Sequence, residues 1–468
     1  MTSAPPANAH GRLLLLTLVV ITTVTSVVSS LGAPLVPLIS RQFAVPLADA
    51  QWSLTAAMLT SVVATPLLGR FASGRRRRTA LLAVLCLVAA GAAMSALAAS
   101  PGPAEHFWLL LAGRSLQGLG LGVVPVALAI ARDEFDGAHA SRALALLSVT
   151  TVVGAGLGYP LTSLVADRAG LAGAYAFGAA LMLATVALSV AVVPHSRSAA
   201  PSAVDWVGGA LLGFGLVGVL LAISRGDVWG WASPTTLLSA AIGAVLVAWF
   251  VRRTLRATNP LVDLRLAVRP GLANPNLVAI AAAVGMYSLL TMAVIVVQAD
   301  WGLELGVAAA GWVLVPYSLM AVLGSRLAQA MRERAGVRHQ LALGCLVFGT
   351  ASALMGLRHD SLAAVLLAMG VGGIGSGFTF SSMAVIMVPH LPAGETGSAM
   401  ALNQVLRSTG FTIGSAIVIP LMHLLGGIGE TGFARTLLLL AGVWVAVAAV
   451  SSWLDLRTPP TAVGLASA

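Results

Sequence analysis

The chain has 468 residues, of which 58% are hydrophobic and only 9% charged, with a mean hydropathy of +0.95. A soluble protein carries about 25% charged residues, so this composition excludes a water-soluble enzyme and a disordered chain. The net charge of +10 comes from arginine alone, because no lysine occurs; the arginines flank apolar runs, which points to a membrane protein and away from a nucleic-acid partner.

In chain order, apolar runs long enough to cross a hydrocarbon core of about 30 Å are predicted at 13–37, 51–70, 79–99, 107–131, 143–166 and 171–193. Two more follow at 206–224 and 235–251. The second half contributes 273–299, 306–330, 340–357, 361–389, 398–424 and 432–454. The first run is too long for the apolar part of a cleaved signal peptide and reads as a helix. The total is fourteen, an all-α membrane protein with both termini on one side.

Arginine distribution gives the side. With cytoplasmic termini, nineteen arginines face inward: Arg12, Arg70, Arg75, Arg76, Arg77, Arg78, Arg132, Arg142, Arg197, Arg252, Arg253, Arg256, Arg265, Arg269, Arg326, Arg332, Arg334, Arg338 and Arg457. Only Arg41, Arg168, Arg225, Arg358 and Arg435 face outward, and Arg114 and Arg407 fall inside runs. That bias satisfies the positive-inside rule in the cell (plasma or inner) membrane. The two cysteines, Cys86 and Cys345, lie in separate apolar runs with no neighbouring histidine, so neither a disulfide framework nor a metal site is expected.

The halves echo one another. Gly69-Arg70-Phe71-Ala72-Ser73-Gly74 precedes four arginines after the second run, and Gly324-Ser325-Arg326-Leu327-Ala328 precedes Arg332, Arg334 and Arg338 after the tenth. Internal repetition of this kind marks transporters. The expected organisation is a cytoplasmic tail 1–12, a six-helix bundle 13–193, two inserted helices 206–251, a basic cytoplasmic connector 252–272, a second six-helix bundle 273–454 and a tail 455–468.

Several motifs then fall on matching helices. Arg114-Ser-Leu-Gln117-Gly118-Leu-Gly120 lies on the fourth helix, and Gly154-Ala-Gly156-Leu-Gly158-Tyr159-Pro160 on the fifth. Asp205-Trp206-Val-Gly208 and Gly230-Trp231-Ala-Ser-Pro234 open the inserted helices. Pro260-Leu-Val-Asp263-Leu-Arg265-Leu marks the connector, and Asn403-Gln404-Val-Leu-Arg407-Ser-Thr-Gly410 the thirteenth helix. In this order they resemble the major facilitator superfamily, in particular its fourteen-helix drug:proton antiporter branch, over nearly the whole chain. Two departures stand out. The family's first-helix acid, about nine residues before Pro37, is replaced by Val28, and the acid of the basic turn by Ser73 and Gln329.

The candidate transport residues are Arg114, Gln117, Arg407 and Asp300. Arg114 lies about 10 Å along its helix, where a charge usually faces a cavity or a partner; the resemblance implies proton coupling, and the alternative is a side chain snorkelling to the interface. Arg407 is either a transport residue or a tether to carbonyls. Asp300 is either an acid at a cavity mouth or a plain loop acid. Asn403, Gln404, Gln298, Tyr287, Tyr317 and Tyr159 are cavity candidates, with helix packing as the competing role; Trp312 shares that status. Gly118, Gly120, Gly154, Gly158, Pro160, Gly69 and Gly324 are candidates for conformational or hinge roles, again set against static close packing.

All sixteen carboxylates fall in loops or at helix ends. A lipophilic dication generally needs an embedded anion as partner, whereas the embedded charges here are arginines, so a small amphiphilic substrate that is neutral or anionic is favoured. The leading expectation is proton-coupled efflux of amphiphilic drugs or antibiotics by alternating access, with no cofactor, with lipid bilayer and protons as partners, and with a monomer as the working unit. Uptake or exchange of one metabolite on the same fold remains the alternative, and a non-transport membrane protein is weaker. A proton-pumping respiratory subunit would need buried lysine and glutamate, which are absent.

Overall fold

The computed structural model describes residues 9–72, 76–100, 106–135, 137–195, 205–257, 262–269, 271–335, 339–391 and 396–457. Ser73, Arg75, Arg197, Pro260 and Arg338, with most of the two expected tails, lie outside the described residues. Within them the chain is helical and contains no strand: α1 (Ala9–Ser30), α2 (Val36–Phe43), α3 (Leu47–Ala72), α4 (Arg77–Ala98), α5 (Phe107–Gly118), α6 (Val123–Glu134), α7 (Gly137–Val192), α8 (Trp206–Trp229) and α9 (Pro234–Arg256). The second half holds α10 (Ala273–Gln298), α11 (Val307–Val313), α12 (Val315–Ala335), α13 (Gln340–Leu357), α14 (Leu362–Met387), α15 (Thr396–Leu425) and α16 (Glu430–Arg457). In lipid only helices or closed barrels satisfy every backbone polar group, and sequences this apolar, without strand alternation, become helices.

Thirteen of the described helical stretches are long and apolar enough to cross a membrane. The difference from fourteen arises at α7, one stretch in which the expected helices 143–166 and 171–193 are joined. Its backbone leaves helical geometry at Gly170, with φ 67° and ψ −176°, a conformation open to glycine. The two arms fold back there. Gly154 in the first arm abuts Thr23 and Gly178 in the second abuts Leu31 of the first crossing, while the Val190 carbonyl accepts from Arg78 Nη2 at 2.7 Å. Pro160 does not interrupt the first arm. It lies inside α7, and the only non-helical residue of that element is Gly170.

The first crossing extends beyond the predicted 13–37. After α1, a single 3-10 turn at Ala33–Leu35 leads into α2. Its polar Ser40, Arg41 and Gln42 are carried on a helix whose other face buries Val36, Ile39 and Phe43. The helices α5 and α6 are likewise joined by a tight turn, Leu119–Gly122.

Helix α1 packs on α7, α4 on α5 and α7, α10 on α15, α12 on α14, and α13 on α14 and α16. The inserted pair α8–α9 packs on itself and reaches the rest mainly through α8. Leu212, Leu216 and Leu220 of α8 share an apolar cluster with Leu59 and Val62 of α3 and with Leu402 and Val405 of α15. Helix α8 therefore lies along the seam where the first half meets the second. Trp52 Nε1 donates to Ser224 Oγ at 3.0 Å, and Arg225 pairs with Asp49 at 2.9 Å. The outer face of α9 exposes Leu238, Ile242, Val245 and Trp249, as a helix in contact with hydrocarbon should.

Candidate functional site

Arg114, on the last two turns of α5, is completely buried. Its Nε donates to the Ser53 carbonyl of α3 at 3.1 Å, and its Nη1 to Gln117 Oε1 at 2.5 Å. Gln117 passes the connection on, donating to the Gly91 carbonyl at 3.2 Å and to Ser95 Oγ at 3.0 Å, both on α4. Arg114 Nη2 has no hydrogen-bond partner and lies where a side chain on Gly32 would have to go, 2.5 Å from the position of an added Cβ. Gly32 follows the end of α1, so that end of the first crossing lies close against the guanidinium. Val28, which stands in the place of the first-helix acid, is itself fully buried. Arg114 does not snorkel, since every one of these contacts lies inside the protein.

The chain has only four tyrosines, and all four gather at this level. Tyr159 and Tyr175 come from the two arms of α7, Tyr287 from α10 and Tyr317 from α12; all are buried. Tyr175 and Tyr287 are within electrostatic reach of Arg114, and Tyr287 is also within reach of Tyr159 and Tyr317. Tyrosine in membrane proteins usually sits in belts at the two interfaces. Here all four are buried, two in the first half and two in the second. Tyr175, at 0% exposure with a hydroxyl that lacks a partner, was missed from sequence; the tyrosine count, with every one inside a run, is the signal that points to it.

A second arginine continues the row. The ring of Tyr287 meets that of Phe411 with centroids 5.0 Å apart, Phe411 meets Phe380 at 6.4 Å, and the Arg407 guanidinium lies over Phe380 at 5.2 Å. Gln404 Oε1 accepts from Arg407 Nη2. Phe380 and Phe411 carry no polar group and were not singled out from sequence; only the ring contacts among α14, α15 and α10 reveal them.

The remaining candidates separate into contacts between helices and surface positions. Asn403 donates to the Pro275 carbonyl at 3.3 Å and to Asn276 Oδ1 at 3.1 Å, joining α15 to α10. Gln298 bridges the halves, donating to the Pro34 carbonyl at 3.1 Å and accepting from Arg41 Nη2 at 3.4 Å. Gln51–Thr291 at 3.3 Å and Thr55–Ser415 at 3.1 Å add further cross-half bonds. Asp300 is exposed and caps its own loop by accepting from the Trp301 amide at 2.9 Å. Trp312 is 58% exposed and does not line the interior.

Among the glycines, Gly118 and Gly324 lie directly on the carbonyls of Ala57 and Ile374, and Gly154 on that of Thr23. A methyl group at any of them would run into a facing backbone. These are points of close approach between helices. Gly120 has ordinary clearance and Gly69 has open space; Gly158 is buried beside Tyr159.

The carboxylates of the described residues stay out of this site. Asp133 and Glu134, at the end of α6, pair with the buried Arg77 at the start of α4 at 2.5 and 3.4 Å. Asp205 and Asp263 cap backbone amides, and Asp455 receives Asn274 at 2.6 Å.

Comparison with known proteins agrees with this architecture. The family model for the Major Facilitator Superfamily matches residues 18–404 and 276–468. Multidrug resistance protein Stp of Mycobacterium tuberculosis is 27% identical over 389 residues, covering 82% of this chain and 70% of Stp. The tetracenomycin C resistance and export protein of Streptomyces glaucescens is 24% identical over 396 residues, covering 82% of this chain and 71% of its own. Among solved structures, a POT family transporter in complex with 5-aminolevulinic acid superposes with a TM-score of 0.70 at 14% identity, covering 97% of this chain and 99% of that one. At that identity the likeness is one of fold.

Proposed function

This chain belongs to the Major Facilitator Superfamily, a family of membrane transporters and not of enzymes, and from that premise we propose that it exports amphiphilic compounds, drugs or antibiotics among them. The reading places it in the cell membrane with both termini cytoplasmic, working as a monomer by alternating access of the bundles 13–193 and 273–454. The helices 206–251 are inserted between these bundles and the connector is 252–272. Resistance and export proteins among the relatives support efflux over uptake. Neutral or anionic substrates are favoured, and the observation that carries this preference is the buried Arg114, within electrostatic reach of Tyr175 and Tyr287 and with no carboxylate recorded beside it among the described residues.

Proton coupling follows the family resemblance, with Arg114 as its central residue. Gln298, Arg41 and Pro34 lie at the end of the bundle away from the termini, which this reading makes the outer gate. Export then proceeds by loading from the cytoplasmic side, loss of the cross-half bonds at the outer gate, and release.

The test is accumulation of two fluorescent probes, one a lipophilic cation and one an anionic or neutral amphiphile, in a host stripped of its own efflux pumps. Native protein and Arg114→Ala are compared with and without a protonophore, at matched membrane expression. Lower accumulation of the anionic or neutral probe, abolished by both treatments, is the expected result. Accumulation equal to that of empty cells for both probes overturns multidrug export in favour of a single-metabolite transporter.

A further inference from the structure

Arg407 is the embedded cation that the Arg114 cluster leaves unused. It lies eleven residues into α15, or about 16 Å along the helix, on a row that runs Arg407, Phe380, Phe411, Tyr287. Arg114 is sealed, whereas Arg407, Phe380 and Phe411 are each only partly buried, so this row has an accessible face. The guanidinium carbon lies 5.2 Å from the centroid of the Phe380 ring, and a guanidinium carries five N–H donors in a fixed fork. One of them, Nε, is buried and unpartnered, and an orphaned buried donor of a cation is costly to maintain. Gln404 takes Nη2 alone. No carboxylate is recorded against Arg407 among the described residues.

We propose that this row is a docking shelf for a planar aromatic anion. Its carboxylate or acidic phenolate accepts from the Nε edge of Arg407, and its ring lies against Phe411 and Tyr287. The shelf deepens the export reading by naming a substrate class and a place for it, and it rests on that reading only for its position on the transport route. The chemistry follows from the two ends of the row. A guanidinium is the side chain best suited to a planar oxyanion, and offset or edge-on rings accept a further aromatic plane.

The test is direct binding to the purified full chain in detergent. Pyrene-1-carboxylate is titrated against two comparators with the same ring, the neutral 1-pyrenemethanol and a pyrenylmethyl trimethylammonium, each read by energy transfer from the protein's tryptophans. The native chain binds the carboxylate at least about tenfold more tightly than the alcohol, the usual span for a charge-assisted hydrogen bond. Arg407→Gln removes that preference and leaves alcohol binding within about twofold. Arg407→Lys, which keeps the charge but loses the planar fork of donors, falls between them, and Phe411→Leu weakens carboxylate and alcohol alike.

Equal affinity of the native chain for carboxylate and alcohol overturns the proposal, as does an equal loss of both in Arg407→Gln at unchanged melting temperature. Should Arg407→Gln fail to fold, the Arg407→Lys and Phe411→Leu pair still decides the question, because only a shelf gives one a charge-selective loss and the other a general loss. Efflux that persists without carboxylate preference overturns the shelf alone; carboxylate binding without efflux overturns the export reading alone.

Discussion

Replacing Gln298 by alanine should open the end of the protein away from the termini. Its amide donates to the Pro34 carbonyl at 3.1 Å and its carbonyl accepts from Arg41 at 3.4 Å. The first bond is buried and well formed, and its loss leaves a backbone acceptor unsatisfied only when the gate is closed, a cost of about 1–2 kcal/mol. The second is at the long limit of a hydrogen bond and adds a few tenths. The sum corresponds to roughly a tenfold rise in the open-to-closed ratio, against about twofold for Arg41→Ala, which removes only the long bond. Spin labels at Ser100→Cys and Arg358→Cys, both exposed at that end in opposite halves, report the ratio by pulsed electron resonance after Cys86 and Cys345 are replaced. Distance distributions that superimpose for the parent and Gln298→Ala would show that Gln298 does not hold the gate.

Other outcomes follow from packing and charge. Gly118→Ala forces a methyl group into the Ala57 carbonyl and should cost about 1–3 kcal/mol, while Gly69→Ala, with open space around it, should be neutral or slightly stabilising; thermal unfolding in detergent should separate them by several degrees, and equal melting temperatures would contradict the close approach. Arg77→Gln takes from Glu134 the partner recorded for it and leaves Asp133, 42% exposed, with the longer contact to Arg132 at 3.7 Å; solvent and Arg132 at Asp133 limit the loss, read by thermal unfolding, to about 1–3 kcal/mol, and Asp133→Asn should recover little of it in the double variant. Asp49→Asn breaks a partly exposed pair with Arg225, so a loss under about 1 kcal/mol is expected, with efflux unchanged; abolished efflux would mean that α8 takes part in transport.

Much of the fold can be read from the sequence because lipid permits few alternatives. Runs bounded by arginines and glycine-rich turns mark crossing helices. The α7 hairpin shows the limit: Gly170 permits a reversal with a left-handed φ and almost no polar loop, so two runs join into one helical stretch. The site was legible in part. Arg114 and Gln117 announce themselves as a charge and an amide inside an apolar run, but their partners at Ser53 and Gly91 are backbone carbonyls without a sequence signature. Asn403 shows the converse, a polar residue in a run whose amide is spent on joining α15 to α10. Phe380 and Phe411 are ordinary apolar residues in sequence, and only the packing of α10, α14 and α15 gives them a role.

The most direct test of the central claim is transport by the purified chain in proteoliposomes under an imposed pH gradient, with pyrene-1-carboxylate and a lipophilic cation supplied in parallel. The buried Arg114, with no carboxylate recorded beside it among the described residues, predicts gradient-dependent movement of the anion, lost in Arg114→Ala, and no movement of the cation above empty vesicles. Gradient-driven transport of the cation with none of the anion would contradict it.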